Sequence, residues 1–322
     1  MSSPPTRKIL IDTDTASDDA VALIMALRSP EVHVLGITLV AGNVPVEQGT
    51  QNALYTAELC GSDVPVFRGA AAPLARPLED ASWFHGRDGL GDHGYSPTTR
   101  AAEEEFAVDA IVRLIEENPG IEIITLGPLT NLALALQRSP ALAANVSRCV
   151  IMGGAPCCEG NVTPTAEYNF WVDPEAAQLV VRSQLPIELV GWQLSRHHAV
   201  VKPGEIDEIR TPFAEFSVRA NDTAAQAYLK QTGEHGISLP DPTAMAILLD
   251  PALSTVSSEH SLDVLTDNGM TRGMSVVDKL GVAADARNRV VWDEVLDHAR
   301  KHTVVWEMDV PGWKRALIRA LS

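Results

Sequence analysis

Short apolar runs alternate with amphipathic segments along most of the chain. The run Lys8–Ile11 predicts a buried strand, and Val32–Val40 predicts a second one. Between them, Asp19–Leu27 carries apolar residues at positions 20, 23, 24 and 27, which is the spacing of one helix face. Val46–Cys60 predicts another helix. Strands that alternate with helices in this way favour a mostly parallel sheet.

The alternation resumes in the second third of the chain and continues to its end. Further strands are predicted at Val64–Phe67, Ile121–Leu126, Val146–Met152 and Ile187–Val190, with smaller strands within Leu262–Val304. Helices are predicted at Ala107–Glu117, Thr130–Arg138, Pro174–Ser183, most of Pro203–Gly233, Pro242–Leu249 and Gly312–Leu321. No repeat or linker marks a boundary. We therefore expect an α/β protein, a single domain over residues 1–322 with a mostly parallel open sheet flanked by helices.

The segment Ala70–Thr99 breaks this alternation. It is rich in Gly, Pro, His and Asp and has no clear period. Long loops inside a compact domain are usually functional or disordered. The two polar clusters His85–Gly89 and Gly91–Gly94 favour a loop that covers a substrate.

Composition narrows the class of partner. The chain has 322 residues, 45% of them hydrophobic, and a net charge of −17 from 42 acidic and 25 basic residues. Such a surface repels phosphate backbones, so we expect no nucleic-acid partner and favour a small neutral substrate or a cation. The four cysteines lack zinc-site spacing, and no apolar run is long enough for a membrane span or a signal peptide. We expect reduced thiols, no membrane partner and a cytoplasmic location.

Acidic and amide side chains follow several of the predicted strands. Ligands of open α/β sheets bind outside the carboxyl ends of the strands, so these side chains predict one polar site. The residues concerned are Asp12, Asp14, Asp18 and Asp19 after the first strand, Asn43 after the second, Leu126–Asn131, then Asn161, Glu167 and Asn169, and Asp241 near a late helix.

The four aspartates between Asp12 and Asp19 require an explanation because like charges repel. Helix capping by Ser17 or Asp18 explains one or two of the polar residues. It does not explain Asp12 and Asp14, which stand at the end of the strand. A hard divalent cation such as calcium or magnesium, which prefers oxygen ligands, explains all four.

The segment Ile11–Ala20 resembles the N-terminal signature of the nucleoside hydrolases. Six similar segments follow in the family's order: Ala41–Asn43, Gly127–Asn131, Met152–Gly154, Ala166–Asn169, Asp173–Ala177 and Asp241–Pro242. Each is weak alone, but the ordered set covers nearly the whole chain. The resemblance implies hydrolysis of the N-glycosidic bond of ribonucleosides to ribose and free base. It also implies a homo-oligomer, a dimer or a tetramer.

The resemblance further implies a role for each site residue. Calcium would be bound by Asp14, by both oxygens of Asp19, by the carbonyl of Leu126 and by Asp241. Asp14 would also be the general base for a metal-bound water. Asp18, Asn43, Asn161, Glu167 and Asn169 would hold the ribose, with Asp12 supporting from behind. These roles suit a reaction that builds positive charge on the anomeric carbon. We expect Thr130 and Asn131 to cap a helix.

The chain departs from the family at Leu239–Asp241. Some members carry a histidine before the ligand aspartate as the acid for the departing base, but Pro240 cannot donate a proton. We expect Trp83 in the long loop to stack on the base instead. The leaving-group acid stays unassigned, with His85, His93, His197 and His235 as candidates by location only. Trp192 and Tyr228 are either core residues or part of the pocket wall.

Two alternative functions are open at this stage. The opening strand also resembles haloacid-dehalogenase-like phosphatases, with Asp12 as nucleophile and Asp14 as acid/base. However, no lysine lies between Lys8 and Lys202, where that family needs one. A non-catalytic homologue that only binds nucleosides or sugars is the second alternative, suggested by Pro240. The preferred base is not defined by the sequence.

Overall fold

The computed structural model describes residues 6–206, 208–288, 290, 292, 293, 295 and 300–322. The side chain of His197, one of the four candidate proton donors, lies outside the described residues. Part of the C-terminal region in which smaller strands were predicted lies outside them as well.

Eight strands form the central sheet, in the order β3-β2-β1-β4-β5-β6-β12-β9. Seven of them are parallel, and β9 pairs antiparallel with β12 at one edge. The strands are β1 Arg7–Thr13, β2 Val32–Leu39, β3 Val66–Arg68, β4 Ile121–Thr125, β5 Val146–Met152, β6 Ile187–Val190, β7 Val200–Val201, β8 Ile237–Ser238, β9 Ser254–His260, β10 Leu262–Val264, β11 Ser275–Val277 and β12 His302–Met308. The remaining strands form two antiparallel pairs, β7 with β8 and β10 with β11.

Helices cover both faces of this sheet. The α-helices are α1 Ser17–Leu27, α2 Val46–Leu59, α3 Ser82–His85, α4 Ala107–Glu117, α5 Thr130–Arg138, α6 Tyr168–Val172, α7 Pro174–Val181, α8 Trp192–His197, α9 Pro212–Ala220, α10 Asp222–Thr232, α11 Pro240–Leu249 and α12 Val310–Leu321. Short 3-10 helices lie at Pro140–Asn145, Pro251–Leu253 and Val282–Ala284. The predicted mostly parallel α/β fold is therefore confirmed. Within the described residues, no helix combines the length and apolar character needed to cross a bilayer.

Alternating residues of β1 supply the two halves of the core. Ile9 and Ile11 pack with α1 and α11 on one face, whereas Leu10 packs with α4, α5 and α7 on the other. All three side chains are fully buried. A parallel strand covered on both faces is apolar throughout, which explains why β1 reads as a continuous hydrophobic run.

The sequence analysis missed the short elements α3, α6, α8, β7 and β8 and the edge strand β9. Strand β9 was missed because its residues are polar and mostly exposed, as the edge of an antiparallel pair permits. The predicted loop Ala70–Thr99 contains the single-turn helix α3. The smaller C-terminal strands are confirmed as β10 and β11, together with the start of β12.

Guanidinium groups hold the C-terminal end of α11 against the sheet. Arg148 on β5 donates to the carbonyls of Ile247 and Leu248 at 3.0 Å each, and its Nε donates to Glu188 at 2.7 Å. Arg7 on β1 donates to the carbonyl of Leu249 at 3.0 Å. Cations at a helix C-terminus are favourable because the last carbonyls lack partners within the helix. The opposite end of α11 is thereby fixed at the carboxyl edge of the sheet.

Replacing Arg148 by methionine is expected to destabilise the protein. The change leaves Glu188 and the Ile247 carbonyl without their donor, at a cost of about 2–3 kcal/mol, whereas the Leu248 carbonyl still accepts from Arg7. Denaturant unfolding measures the free energy. Arg315→Met, on the surface of α12 with a side chain 67% exposed, is the control and should change it by less than about 0.5 kcal/mol. Equal values for the two variants would show that the Arg148 contacts do not hold α11.

Candidate active site

Five buried carboxylates gather at the carboxyl edge of the sheet. Asp12 is the penultimate residue of β1 and Asp14 follows the strand, whereas Asp18 and Asp19 lie in the first turn of α1. Asp241 comes from the first turn of α11. None of the five is more than 5% exposed. The structure thus brings together the aspartates that the sequence placed in one site.

Asp14 lies in a narrow space between two glycines. Its Oδ2 accepts from the backbone N–H of Asn43, and its Oδ1 is buried without a partner among the described residues. A Cβ on Gly42 would lie 2.1 Å from Oδ2, and one on Gly127 would lie 2.8 Å from Oδ1. Glycine is therefore needed at both positions to make room for this carboxylate.

Asp19 is the best-satisfied carboxylate of the group. Its Oδ1 accepts from the Thr13 hydroxyl at 2.5 Å, and its Oδ2 accepts from the Ala16 N–H at 2.9 Å. One oxygen each of Asp18, Asp19 and Asp241 lies within 4.8 Å of the others, close enough to share one ion. This group includes Asp18, which was predicted to bind ribose, and does not include Asp14.

Burial strongly perturbs these acids. Desolvation, followed by the negative charge of Asp19, raises the pKa of Asp14 well above its usual range and that of Asp18 to about 8. The pKa of Asp241 is raised in the same way, by burial and then by Asp18. Burial also raises the pKa of Asp12 to about 7. Positive charge at this point of the sheet would relieve a repulsion that the protein alone leaves in place.

Asp12 lies behind the other four carboxylates. Its Oδ1 accepts from the Thr38 hydroxyl at 2.6 Å and from Asn131 Nδ2 at 2.9 Å. The predicted capping role of Thr130 and Asn131 is wrong, because α5 begins after Leu129 and has no side-chain cap. Thr130 instead donates to Asp173 at 2.6 Å, and Asn131 joins Asp12 to the backbone of Leu39 and Ala70. Both residues contact partners that are distant in the sequence, so local sequence rules do not predict these contacts.

A second polar group surrounds the end of β5. Glu167 caps α6, and its carboxylate also accepts from the Gly154 N–H at 2.7 Å. Burial raises the pKa of Glu167 to about 7. Asn169 donates to the carbonyl of Leu126 at 2.8 Å, and Asn161 accepts from the Tyr168 N–H at 2.9 Å. Asn169 therefore contacts the carbonyl that was predicted to bind calcium.

A cavity of about 390 Å³ opens beside these groups. Of the predicted site residues, those that line it are Asp18, Asn43, Trp83, Leu126, Asn161, Glu167, Asn169 and Asp241. Asp12, Asp14 and Asp19 are not among the lining residues and are buried next to it. The cavity is large enough for a ligand the size of a nucleoside.

The part of the cavity wall formed by α8 and α10 was mostly missed by the sequence analysis. Helix α10 contributes Ala224, Tyr228, Gln231 and Thr232, and α8 contributes Trp192 and Arg196. Trp192 and Tyr228 are thus wall residues. The positions on α10 follow helical spacing, but that spacing does not tell which neighbour the face meets. Trp83 lines the cavity from α3 with 58% of its surface exposed.

The histidines that were considered as proton donors differ in position. His85 lines the cavity, pairs with the Ser17 hydroxyl at 2.8 Å, and has a pKa lowered by burial to about 3. His93 pairs with Asp222 at 3.0 Å, and His235 is exposed. Neither of these two lines the cavity. Pro240 lines the cavity, but its side chain has no proton to donate.

Comparisons with known proteins agree with this geometry. The family model described as inosine-uridine preferring nucleoside hydrolase matches residues 9–314. The chain is 36% identical over 279 residues to the inosine-uridine preferring nucleoside hydrolase of Leishmania major, covering 84% of this chain and 88% of that protein. It is 37% identical over 289 residues to the non-specific ribonucleoside hydrolase RihC of Salmonella paratyphi B, covering 88% and 93%. A solved plant nucleoside hydrolase, the PpNRh1 enzyme, superposes with a TM-score of 0.91 at 31% identity, covering 98% of this chain and 99% of that one.

The raised carboxyl pKa values predict how the metal-free protein responds to pH. Each such group binds a proton more tightly when folded than when unfolded, so its contribution to stability falls as pH rises from about 4 towards 8. In the presence of a chelator, we expect a lower melting temperature at pH 8 than at pH 5. An added hard divalent cation should raise the melting temperature most at pH 8, where the carboxylates are most ionised. Equal effects of the cation at both pH values would contradict the repulsion among these carboxylates.

Proposed function

Because this chain belongs to the inosine-uridine preferring nucleoside hydrolase family and is a hydrolase of N-glycosyl compounds, we propose that it cleaves ribonucleosides to ribose and free base with one bound calcium ion. The observation that supports this most is the group of buried carboxylates beside the cavity. Such a group would bind a cation. The cation would in turn contact the polar, uncharged hydroxyls of a ribose.

The donors around Asp14 fit a hard divalent cation. They are all oxygens, which calcium prefers, and Oδ1 of Asp14 and Oδ1 of Asp18 are buried without partners among the described residues. We propose Asp14, Asp19, Asp241 and the carbonyl of Leu126 as the ligands. That carbonyl accepts from Asn169 and retains a second lone pair. When bound, the cation would lower the pKa of a neighbouring water molecule.

Asp14 is proposed as the general base. The Asn43 N–H fixes one of its oxygens, which leaves the other to take a proton from the attacking water. Asp18, Asn43, Asn161, Glu167 and Asn169 are proposed to hold the ribose from the cavity side. As the bond to the base lengthens, positive charge develops on the sugar, and the carboxylates of Asp18 and Glu167 would stabilise it.

Neither alternative function is favoured by the geometry. In the phosphatase alternative Asp12 would be the nucleophile, but one oxygen of its carboxylate already accepts from Thr38 and Asn131. The non-catalytic alternative predicts binding without bond cleavage. Release of free ribose from a panel of ribonucleosides, measured with calcium and with a chelator, separates these possibilities. Calcium-dependent release is expected; no release from any member would reject the proposed function.

Asp14→Asn tests the general base. The amide keeps the size of the side chain but cannot take a proton from water, so kcat is expected to fall by about 10²–10⁴-fold. Ribose release under substrate saturation measures kcat. Asp267→Asn, at an exposed position, is the control and should leave kcat unchanged. If Asp14→Asn retained full kcat, Asp14 would not be the base.

Asp241→Ala tests the ligand set. Removal of one buried carboxylate should weaken calcium binding at least about tenfold, because a hard cation loses a charged ligand. Calorimetric titration of the metal-free protein measures the affinity, with the exposed Asp63→Ala variant as the control. Unchanged affinity in Asp241→Ala would exclude that residue as a ligand.

A further inference from the structure

Most of the charged side chains that line the cavity are acidic. The acids that line it are Asp18, Glu159, Glu167 and Asp241. Among the described residues, Arg196 is the one lysine or arginine that lines it. Unlike a histidine, a guanidinium is charged at every pH at which the protein is folded. A permanent cation in an otherwise acidic cavity calls for a ligand that carries or develops negative charge.

Arg196 lies on the part of the cavity wall that α8 forms. It stands one helical turn after Trp192 on α8, and its side chain is 29% exposed. Its Nε lies 3.8 Å from Glu159 Oε1, which is too long for a hydrogen bond. Tyr228 lines the same cavity from α10. Within the described part of the chain, the Arg196 guanidinium forms no hydrogen bond, which leaves its donors available to a ligand.

Cleavage of the glycosidic bond creates such a ligand. The bonding electron pair moves to the ring nitrogen of the base, which leaves as an anion unless a proton arrives at the same time. Pro240 has no proton to donate, and the Tyr228 hydroxyl donates to Glu234 at 3.3 Å. In an oxo base the negative charge spreads onto the carbonyl oxygens. A guanidinium donates charge-assisted hydrogen bonds to such oxygens and has no acceptor for an amino group.

We propose that Arg196 binds the carbonyl oxygen at C4 of uracil or at C6 of an oxopurine as the base departs, stabilises that base as an anion, and makes the enzyme favour ribosides of dioxo bases. This proposal rests on the proposed function. The water gives its hydroxide to the anomeric carbon and its proton to Asp14, and the base anion takes a proton from solvent after release. The expected order is dioxo bases such as uracil and xanthine first, hypoxanthine next, and the amino bases adenine and cytosine last.

Matched ribosides separate this role from a structural one. Uridine and cytidine differ in one carbonyl or amino group, as do inosine and adenosine. For Arg196→Met, kcat/KM should fall about 10- to 100-fold with uridine and xanthosine, the effect of losing a charge-assisted hydrogen bond. The fall with cytidine and adenosine should be less than about threefold, because an amino group stands at C4 of cytosine and C6 of adenine and gains nothing from Arg196. Arg196→Lys keeps the charge and should retain more of the preference than Arg196→Met.

Arg315→Met is the matched control, because that guanidinium also approaches a carboxylate, Asp309, at 3.5 Å but lies on α12 outside the cavity. It should leave all five rates unchanged. An equal loss with every riboside, or no loss with any, would overturn the role of Arg196 and leave the proposed function standing. If Arg196→Met does not fold, a wild-type enzyme without preference for dioxo bases overturns the role. Absence of ribose release from all five by the wild type would reject the proposed function itself.

Discussion

Mutual repulsion among buried carboxylates is the constraint on which this structure depends. Asp14, which follows β1, Asp18 and Asp19 on α1, and Asp241 on α11 meet at one place and are almost fully buried. Burial raises their pKa values, and the negative charge of one raises that of the next. A protein that only needed stability would fill this space with apolar side chains. Carboxylates held there are suited to a cation and to a reaction that develops positive charge.

The rest of the fold holds these groups in place. Parallel strands bring the acids to one edge of the sheet, and Gly42 and Gly127 leave room for the Asp14 carboxylate. Arg148 fixes the far end of α11, whose first turn carries Asp241. Acids and amides that follow the strands line the cavity, and α8 and α10 add aromatic rings and the Arg196 guanidinium to its wall.

Much of the fold and part of the candidate site were predictable from the sequence, because the patterns that indicate them are local. The apolar runs of β1 and β2 and the helical spacing of α1 predict the parallel α/β fold, and the aspartates after β1 predict a charged site. Strand β9 was missed because an exposed edge strand has no apolar pattern to detect. Asn131 was misread as a cap because its contact with Asp12 spans 119 positions. Arg196 was missed because nothing local shows that α8 faces the site.

A crystal structure of the protein soaked in calcium tests the central claim most directly, that the buried carboxylates form one cation site. Anomalous scattering should reveal a single ion at the carboxyl edge of the sheet. The proposed ligands predict contacts with Asp14, Asp19, Asp241 and the carbonyl of Leu126. A site with no ion in it, or an ion bound away from these carboxylates, would contradict the claim.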